Sequence, residues 1–381
     1  MKINIGPEKV ILPGGLQPFM FQLKTGRLVV QAQLETPLGT MFPGRWATLV
    51  SDDGGASWQP WSRADVTGGS PFFEGCATHL SDGLAILLEW SARGPQPDGC
   101  WIARLWESHD NWDTAQGPFE ARIPLPMAKG GFDDDGHPVP ELFLHRSLIE
   151  LPHGDLLLTA YGWFEGDETP STYRPSMNKL RCILLRSSDR GRNWRFISTI
   201  AVDPTIGEEG FNEPVLVRLT KGRHQGRLIA LLRTGSNKTF AHNPIYQTES
   251  DDEGQTWTPP RPLNFENVDP DLIEMESGVL VASCGWRTAE SRVNLTSEPK
   301  SIGPGHGNYL VCSHDGGESW TNLTQITDTP SSCYTTVREI APGKLLLVYD
   351  IGDSWQHVWQ DYEGIKRGIG CRVIEVSSSG A

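Results

Sequence analysis

The chain has no apolar run of membrane-spanning length and no stretch of helical period long enough to build on, so membrane helices and an α-helical core are both excluded. Basic residues are outnumbered. The 33 Lys plus Arg face 47 Asp plus Glu, a net charge of −14, which opposes a nucleic-acid or anionic-membrane partner because either needs a basic surface. Cysteine is sparse, and the seven present lack paired spacing, which favours reduced thiols over a disulfide framework. The opening Met1-Lys-Ile-Asn-Ile-Gly has no apolar signal core, so the expected location is the cytoplasm, or outside the cell if a leader has been removed.

What is plentiful is glycine (41), proline (28) and tryptophan (14), the composition of many short strands joined by tight turns. One phrase recurs, Ser-x-Asp-x-Gly-x-x-Trp, at Ser51/Asp53/Gly55/Trp58, Ser187/Asp189/Gly191/Trp194, Ser250/Asp252/Gly254/Trp257 and Ser313/Asp315/Gly317/Trp320. It reads as a hairpin turn: Asp folds back onto backbone N–H groups, Gly takes a positive φ, and Trp plugs the gap between neighbouring sheets. The last three copies begin at Ser187, Ser250 and Ser313, an even period that suits a four-stranded sheet and exceeds a solenoid coil. A degenerate copy without its glycine, Ser108-His-Asp110-Asn-Trp112, fills the wider gap between the first two.

Around these turns an apolar strand, a glycine turn and a second apolar strand repeat six times, the turn glycines being Gly26, Gly83, Gly154, Gly222, Gly278 and Gly343. The expected fold is therefore all-β, a single six-bladed β-propeller over residues 1–381. Its blades span roughly 13–64, 70–126, 140–202, 208–264, 266–327 and 330–378, with residues 3–12 supplying the strand that closes the last blade. Nine residues before each turn glycine stand Gln17, Glu74, His145, Glu213, Asp269 and Tyr334, all polar. Two residues further on, the same face carries Phe19, Cys76, Ser147, Val215, Asp271 and Thr336. Such a ring, rich in carboxylates and aimed at a central channel, is a candidate site, although polar side chains can also merely solvate a channel. Arg233, Arg287, Asp350 and Glu89-Trp90 end the second strands, and Arg146 stands beside His145. Arginines there suit an acidic ligand held by bidentate hydrogen bonds, or interblade salt bridges.

Two local phrases carry a family resemblance. Phe211-Asn-Glu213-Pro-Val-Leu-Val followed by Leu231-Leu-Arg233-Thr, and Cys333-Tyr334-Thr-Thr-Val ending in Leu347-Val-Tyr-Asp350, together with the Asp turns, resemble the sialidase (neuraminidase) superfamily of BNR, or Asp-box, repeat β-propellers. The resemblance implies a glutamate and tyrosine nucleophile pair, Glu213 and Tyr334, and places Arg233 in an arginine clamp. Two features depart from the family. The first-blade strand is Gly15-Leu-Gln17-Pro18 in place of Arg-Ile-Pro, and residues 34–45 offer only Glu35 where an acid/base aspartate is expected.

The implied activity is an exo-acting glycoside hydrolase releasing a terminal sugar, acidic sugars included. Tyr334 and Glu213 would act as nucleophile and base, and Glu74, Asp269 or His145 as acid/base. Arg233 with Arg146 or Arg287, and Gln17, Asp271 and Asp350, would hold a carbohydrate substrate. Two alternatives stay open. One is a uronic-acid lyase in which His145 or Tyr334 takes the proton α to a carboxylate. The other is a non-catalytic glycan-binding propeller that stacks sugars on Trp90, Trp163 and Trp286. No cofactor is implied, and Asp133-Asp-Asp135 with His137 reads as a solvated loop ahead of a metal site.

Overall fold

The computed structural model describes residues 2–34, 46–61, 75–132, 136–172, 175–235, 243–266, 268–286, 305–329, 331–352 and 368–377. These residues form β-strands without α-helices, and they divide into two compact units. One comprises residues 1–62, 240–242 and 265–381; the other comprises 63–239 and 243–264.

In the first unit a meander of β3 (Leu16–Gln22), β4 (Leu28–Gln33), β5 (Trp46–Ser51) and β6 (Gln59–Pro60) forms one blade. A second consists of β22 (Val268–Glu274), β23 (Leu280–Trp286), β24 (Gly307–Ser313) and β25 (Thr321–Gln325). In the third, β26 (Thr335–Ala341), β27 (Lys344–Ile351) and β28 (Gly368–Ser377) are completed by the N-terminal strands β1 (Lys2–Ile5) and β2 (Lys9–Pro13), both antiparallel to β28. The N-terminal residues thus finish the last blade, as expected, but as a strand broken at Gly6-Pro7. Gly6 donates to Val373 O at 2.8 Å, and a Cβ there would meet the same oxygen at 2.8 Å, so only glycine fits. Glu8 pins the break by accepting from Tyr349 Oη at 2.7 Å, while Arg372 donates to that oxygen and to Gly6 O.

The second unit holds β7 (Cys76–His79), β8 (Ala85–Arg93), β9 (Cys100–Ser108) and β10 (Gln116–Pro124); then β14 (Glu141–Glu150), β15 (Leu156–Phe164), β16 (Arg181–Ser187) and β17 (Arg195–Ala201). Its third meander is β18 (Asn212–Arg218), β19 (Leu228–Arg233), β20 (Pro244–Ser250) and β21 (Arg261–Glu266). Short strands β11 (Ala128–Lys129), β12 (Gly131–Phe132) and β13 (Pro138–Val139) lie in the connection before β14. The sequence pattern expects separate blades here, but β14 pairs with both β15 and β8, through Glu141↔Arg93, Leu142↔Ala92 and Phe143↔Ser91. Two blades therefore share one hydrogen-bonded sheet.

The recurring turns have the predicted chemistry. In the first, Ser51 Oγ accepts from Gly55 N at 2.9 Å and Asp53 accepts from Ser57 N at 2.8 Å, and the same bonds recur around Asp189, Asp252 and Asp315. The turn glycines bear on the blade before: a Cβ on Gly55 would strike Leu346, and one on Gly254 would strike Leu184. These bonds hold the carboxyls of Asp53, Asp252 and Asp315 down at about 2. The degenerate copy keeps its carboxylate bonds but exchanges two residues. Trp112 occupies the glycine position at φ 64° and is fully buried, while Ala115 stands where the other turns place tryptophan. The indole fills the same kind of gap from a different backbone position.

Candidate active site

A left-handed residue recurs near the start of the first strand in five of the repeats. Gln17, Arg146, Glu213, Asp269 and Cys333 all have positive φ, between 39° and 64°, without being glycine. In β3, β18 and β22 the break is a bulge in which two residues oppose one: Gln17-Pro18, Glu213-Pro214 and Asp269-Pro270. Proline suits the second place because it has no N–H to leave unpaired where the ladder is interrupted. A left-handed residue costs about 1–2 kcal/mol, and such strain persists where the aim of a side chain matters.

The residue count used to align the blades needs two adjustments. In β14 three residues, His145, Arg146 and Ser147, oppose one, so the left-handed residue is Arg146 and His145 precedes it. In the last blade a second bulge between Glu339 and Ala341 adds a residue, so Cys333 takes that place and Tyr334 follows it. The repeated Gln-Pro, Glu-Pro and Asp-Pro pairs are the sequence signal that marks the true level.

In the second unit, Glu213 ion-pairs with Arg233, the last residue of β19, which also donates from Nε to Gly235 O at 2.9 Å. Glu209 lies 4.0 Å from Arg233 Nη2 and accepts from Asn212, while Glu208 accepts from Asn243 at 3.2 Å. All three carboxylates are buried. Glu208 and Glu209 are absent from the residues selected by the strand pattern, because they sit on a connection. Their signal is the flanking glycines: a Cβ on Gly207 would meet Thr234 O at 2.2 Å, and one on Gly210 would meet Leu180 O at 2.5 Å. Arg233, expected to clamp substrate, is thus committed to Glu213 and a carbonyl.

His145 is buried, with Nδ1 3.1 Å from Pro214 O. A carbonyl only accepts, so Nδ1 carries the proton and a neutral ring keeps its lone pair on Nε2. Arg146 is buried beside Cys76, whose thiol is pushed well up by burial, the Arg146 charge opposing this in part. Glu89 accepts from Trp106 Nε1 at 2.9 Å, and burial raises its carboxyl above the usual range against the pull of Arg104 and Arg93.

On the same unit Trp90, Phe143 and Tyr161 form a column of partly exposed rings, with centroids 5.5 and 4.9 Å apart and interplanar angles of 28° and 22°. His145 meets Tyr161 edge-on at 6.0 Å. Trp163 is not a platform. It is 2% exposed, donates to Asn178 O at 2.8 Å, and packs with Val139, Met177 and Leu180.

In the first unit Asp271 and Asp350 are spent on the framework, contrary to a substrate-binding role. Asp271 Oδ2 accepts from Thr336 Oγ1 at 2.8 Å, Val337 N at 2.9 Å and Arg338 Nη1 at 2.7 Å, tying β22 to β26. Asp350 accepts from Gln17 N and Ser332 N, each at 3.1 Å, and from Ser332 Oγ. Gln17 is buried and bonded to Gln33; Asp269 is fully buried; Tyr334 is 5% exposed. Cys333 Sγ lies 3.6 Å from His306 Nε2, and Trp286 lies tilted against Tyr309, centroids 5.9 Å apart. Glu74, Arg287, Glu35 and residues 133–135 lie outside the described residues. Among the described residues no three His, Cys, Asp or Glu side chains group to hold a metal ion.

No curated protein matches the chain. Among solved structures, it is similar to a protein of unknown function from Dyadobacter fermentans, at 17% identity and a TM-score of 0.67, over 98% of this chain and 99% of that one. It is also similar to a Penicillium chrysogenum α-L-arabinanase complexed with arabinobiose, at 15% identity and 0.63, over 97% and 98%. A third similarity is to the NanB sialidase of Streptococcus pneumoniae, at 13% and 0.60, over 98% and 70%. These likenesses show an all-β propeller fold. A profile of the BNR repeat-like domain matches residues 137–347, more than half of the sequence, and the chain belongs to that family.

Proposed function

We propose that the protein is a glycan-active glycoside hydrolase that removes a terminal sugar, with Glu213 as its base or nucleophile. The observation that carries this reading is the setting of Glu213. It stands on a strained left-handed bulge, buried, with Arg233 facing it as a counter-charge, so it acts as a carboxylate. The same unit holds a second buried carboxyl, Glu89, which desolvation raises against the Trp106 hydrogen bond and the charges of Arg104 and Arg93. Similarity to an arabinanase and a sialidase supports the substrate class and leaves the sugar open. The family resemblance adds Tyr334 as the proposed nucleophile, with Glu213 then acting as its base.

The test is product analysis after incubation with arabinosides, sialosides, uronic-acid oligosaccharides and neutral glycosides. Hydrolysis of one class is expected, with Glu213→Gln and Tyr334→Phe each slowing it at least 100-fold while the fold is retained. Near-wild-type turnover in Glu213→Gln overturns the assignment. The tautomer of His145 favours a second reading, elimination with Nε2 as base. That reaction leaves an unsaturated product absorbing in the near ultraviolet, which hydrolysis does not.

A further inference from the structure

We infer that the seam joining the second and third blades carries a second sugar-binding subsite, built on Trp90, Phe143 and Tyr161, which holds the saccharide unit next to the one being released. This rests on the hydrolase reading above. Aromatic residues elsewhere in this unit are largely consumed by the core: Trp101, Trp106, Trp112 and Trp163 are all buried at 2% exposure or less. At the seam three rings of different strands are partly exposed and lie nearly parallel in one column, Phe143 and Tyr161 resting on the buried Val139, Trp163, Met177 and Leu180 and Trp90 capping the column. They are brought together by the pairing of β14 with β8, which sets Phe143 opposite Ser91, next to Trp90, and by the pairing of Phe143 with Tyr161 across β15. Without the β8–β14 pairing Trp90 would stand apart from the other two rings.

The column is continuous with the candidate site. Tyr161 meets the edge of His145, and His145 is anchored to the carbonyl of Pro214, the residue after Glu213. The chemistry selects a sugar. A pyranose or furanose ring offers an apolar C–H face to an aromatic surface and hydroxyls at its rim. At the seam the rim is polar: Glu141 and Arg93 form an ion pair at 3.5 Å, with Arg93 81% exposed in its side chain and Glu141 a buried carboxyl raised by desolvation. A protein partner would instead require a broad apolar patch, and the rings are framed by charge.

The experiment uses the full-length Glu213→Gln protein and an array of mono- to tetrasaccharides from the four glycan classes named above. Oligosaccharides of two or more units are expected to bind at least tenfold more tightly than their terminal monosaccharide. Trp90→Ala and Phe143→Ala, each added to Glu213→Gln, are expected to abolish that length dependence while leaving monosaccharide binding. Trp90→Phe should restore part of it. Length-dependent binding that survives both alanine variants overturns the subsite, as does binding that never depends on length. The two readings fail separately. Aromatic-dependent binding by a wild-type protein that turns nothing over removes the hydrolase and keeps the subsite. Turnover whose KM is the same for short and long substrates, in wild type and Trp90→Ala alike, removes the subsite and keeps the hydrolase.

Discussion

Replacing Asp271 by alanine tests whether this carboxylate is part of the framework or of the ligand site. Asp271 is 2% exposed, and its Oδ2 gathers a hydroxyl, a backbone N–H and the Arg338 guanidinium at 2.7–2.9 Å. Alanine leaves Val337 N without its acceptor and Arg338, 18% exposed in its side chain, without its counter-charge. Breaking a buried ion pair from one side costs about 3–5 kcal/mol, and the remaining access of Arg338 to water puts the expectation near the lower end, about 3 kcal/mol. Unfolding entropy for a chain of 381 residues is about 0.8 kcal/mol/K, so Tm should fall by about 4 °C. Guanidinium titration followed by tryptophan emission gives the free energy, and the turnover of the folded fraction should stay within twofold of wild type. The double variant with Arg338→Met should be no less stable than Asp271→Ala alone, because the stranded charge is then removed. A loss below 1 kcal/mol, or a folded variant that no longer turns over, would refute the framework role.

The Asp turns predict a pH dependence. Asp252 and Asp315 titrate at about 2 when folded against 3.8 unfolded, so their stabilisation is complete above 3.8 and is lost as pH falls towards 2. Denaturant midpoints measured from pH 6 to 2 should therefore drop over that window in wild type, and drop less in Asp252→Ala and Asp315→Ala, which begin lower at pH 6. Deleting residues 2–13 should strip β28 of both its outer partners and expose a sheet edge, giving aggregation on size-exclusion chromatography. A monomer with an unchanged Tm would show that the N-terminal strands are dispensable.

The blades were legible because each repeats two cheap local signals, a glycine turn between apolar strands and an Asp turn at the outer end. The Asp turn forms even where the motif had degenerated at Asp110, since the bonds of Ser108 and Asp110 need neither the glycine nor the terminal tryptophan. The candidate site was legible only to within a residue. Bulges change the residue count without changing composition, so His145 and Tyr334 were each set one place from the left-handed position. Asp271 and Asp350 show a second limit. A carboxylate that ties strands together and one that meets a ligand have the same side chain, and only their partners in the fold distinguish them. Glu208 and Glu209 escaped because a connection has no period to reveal them.

The shared sheet at β8 and β14 has a consequence for how the protein breathes. Elsewhere in this unit neighbouring blades are linked by side chains and by isolated backbone bridges such as Arg122↔Asn193 and Leu180↔Gly210. Here the backbone itself is continuous, from Glu141↔Arg93 to Phe143↔Ser91, with Gly94 N donating to Pro140 O beyond it. Opening the sheet around β8 therefore breaks hydrogen bonds of β14, and the amides at this join are expected to exchange with solvent only when both open together. The pair forms one cooperative block, and it holds His145 and Arg146 still.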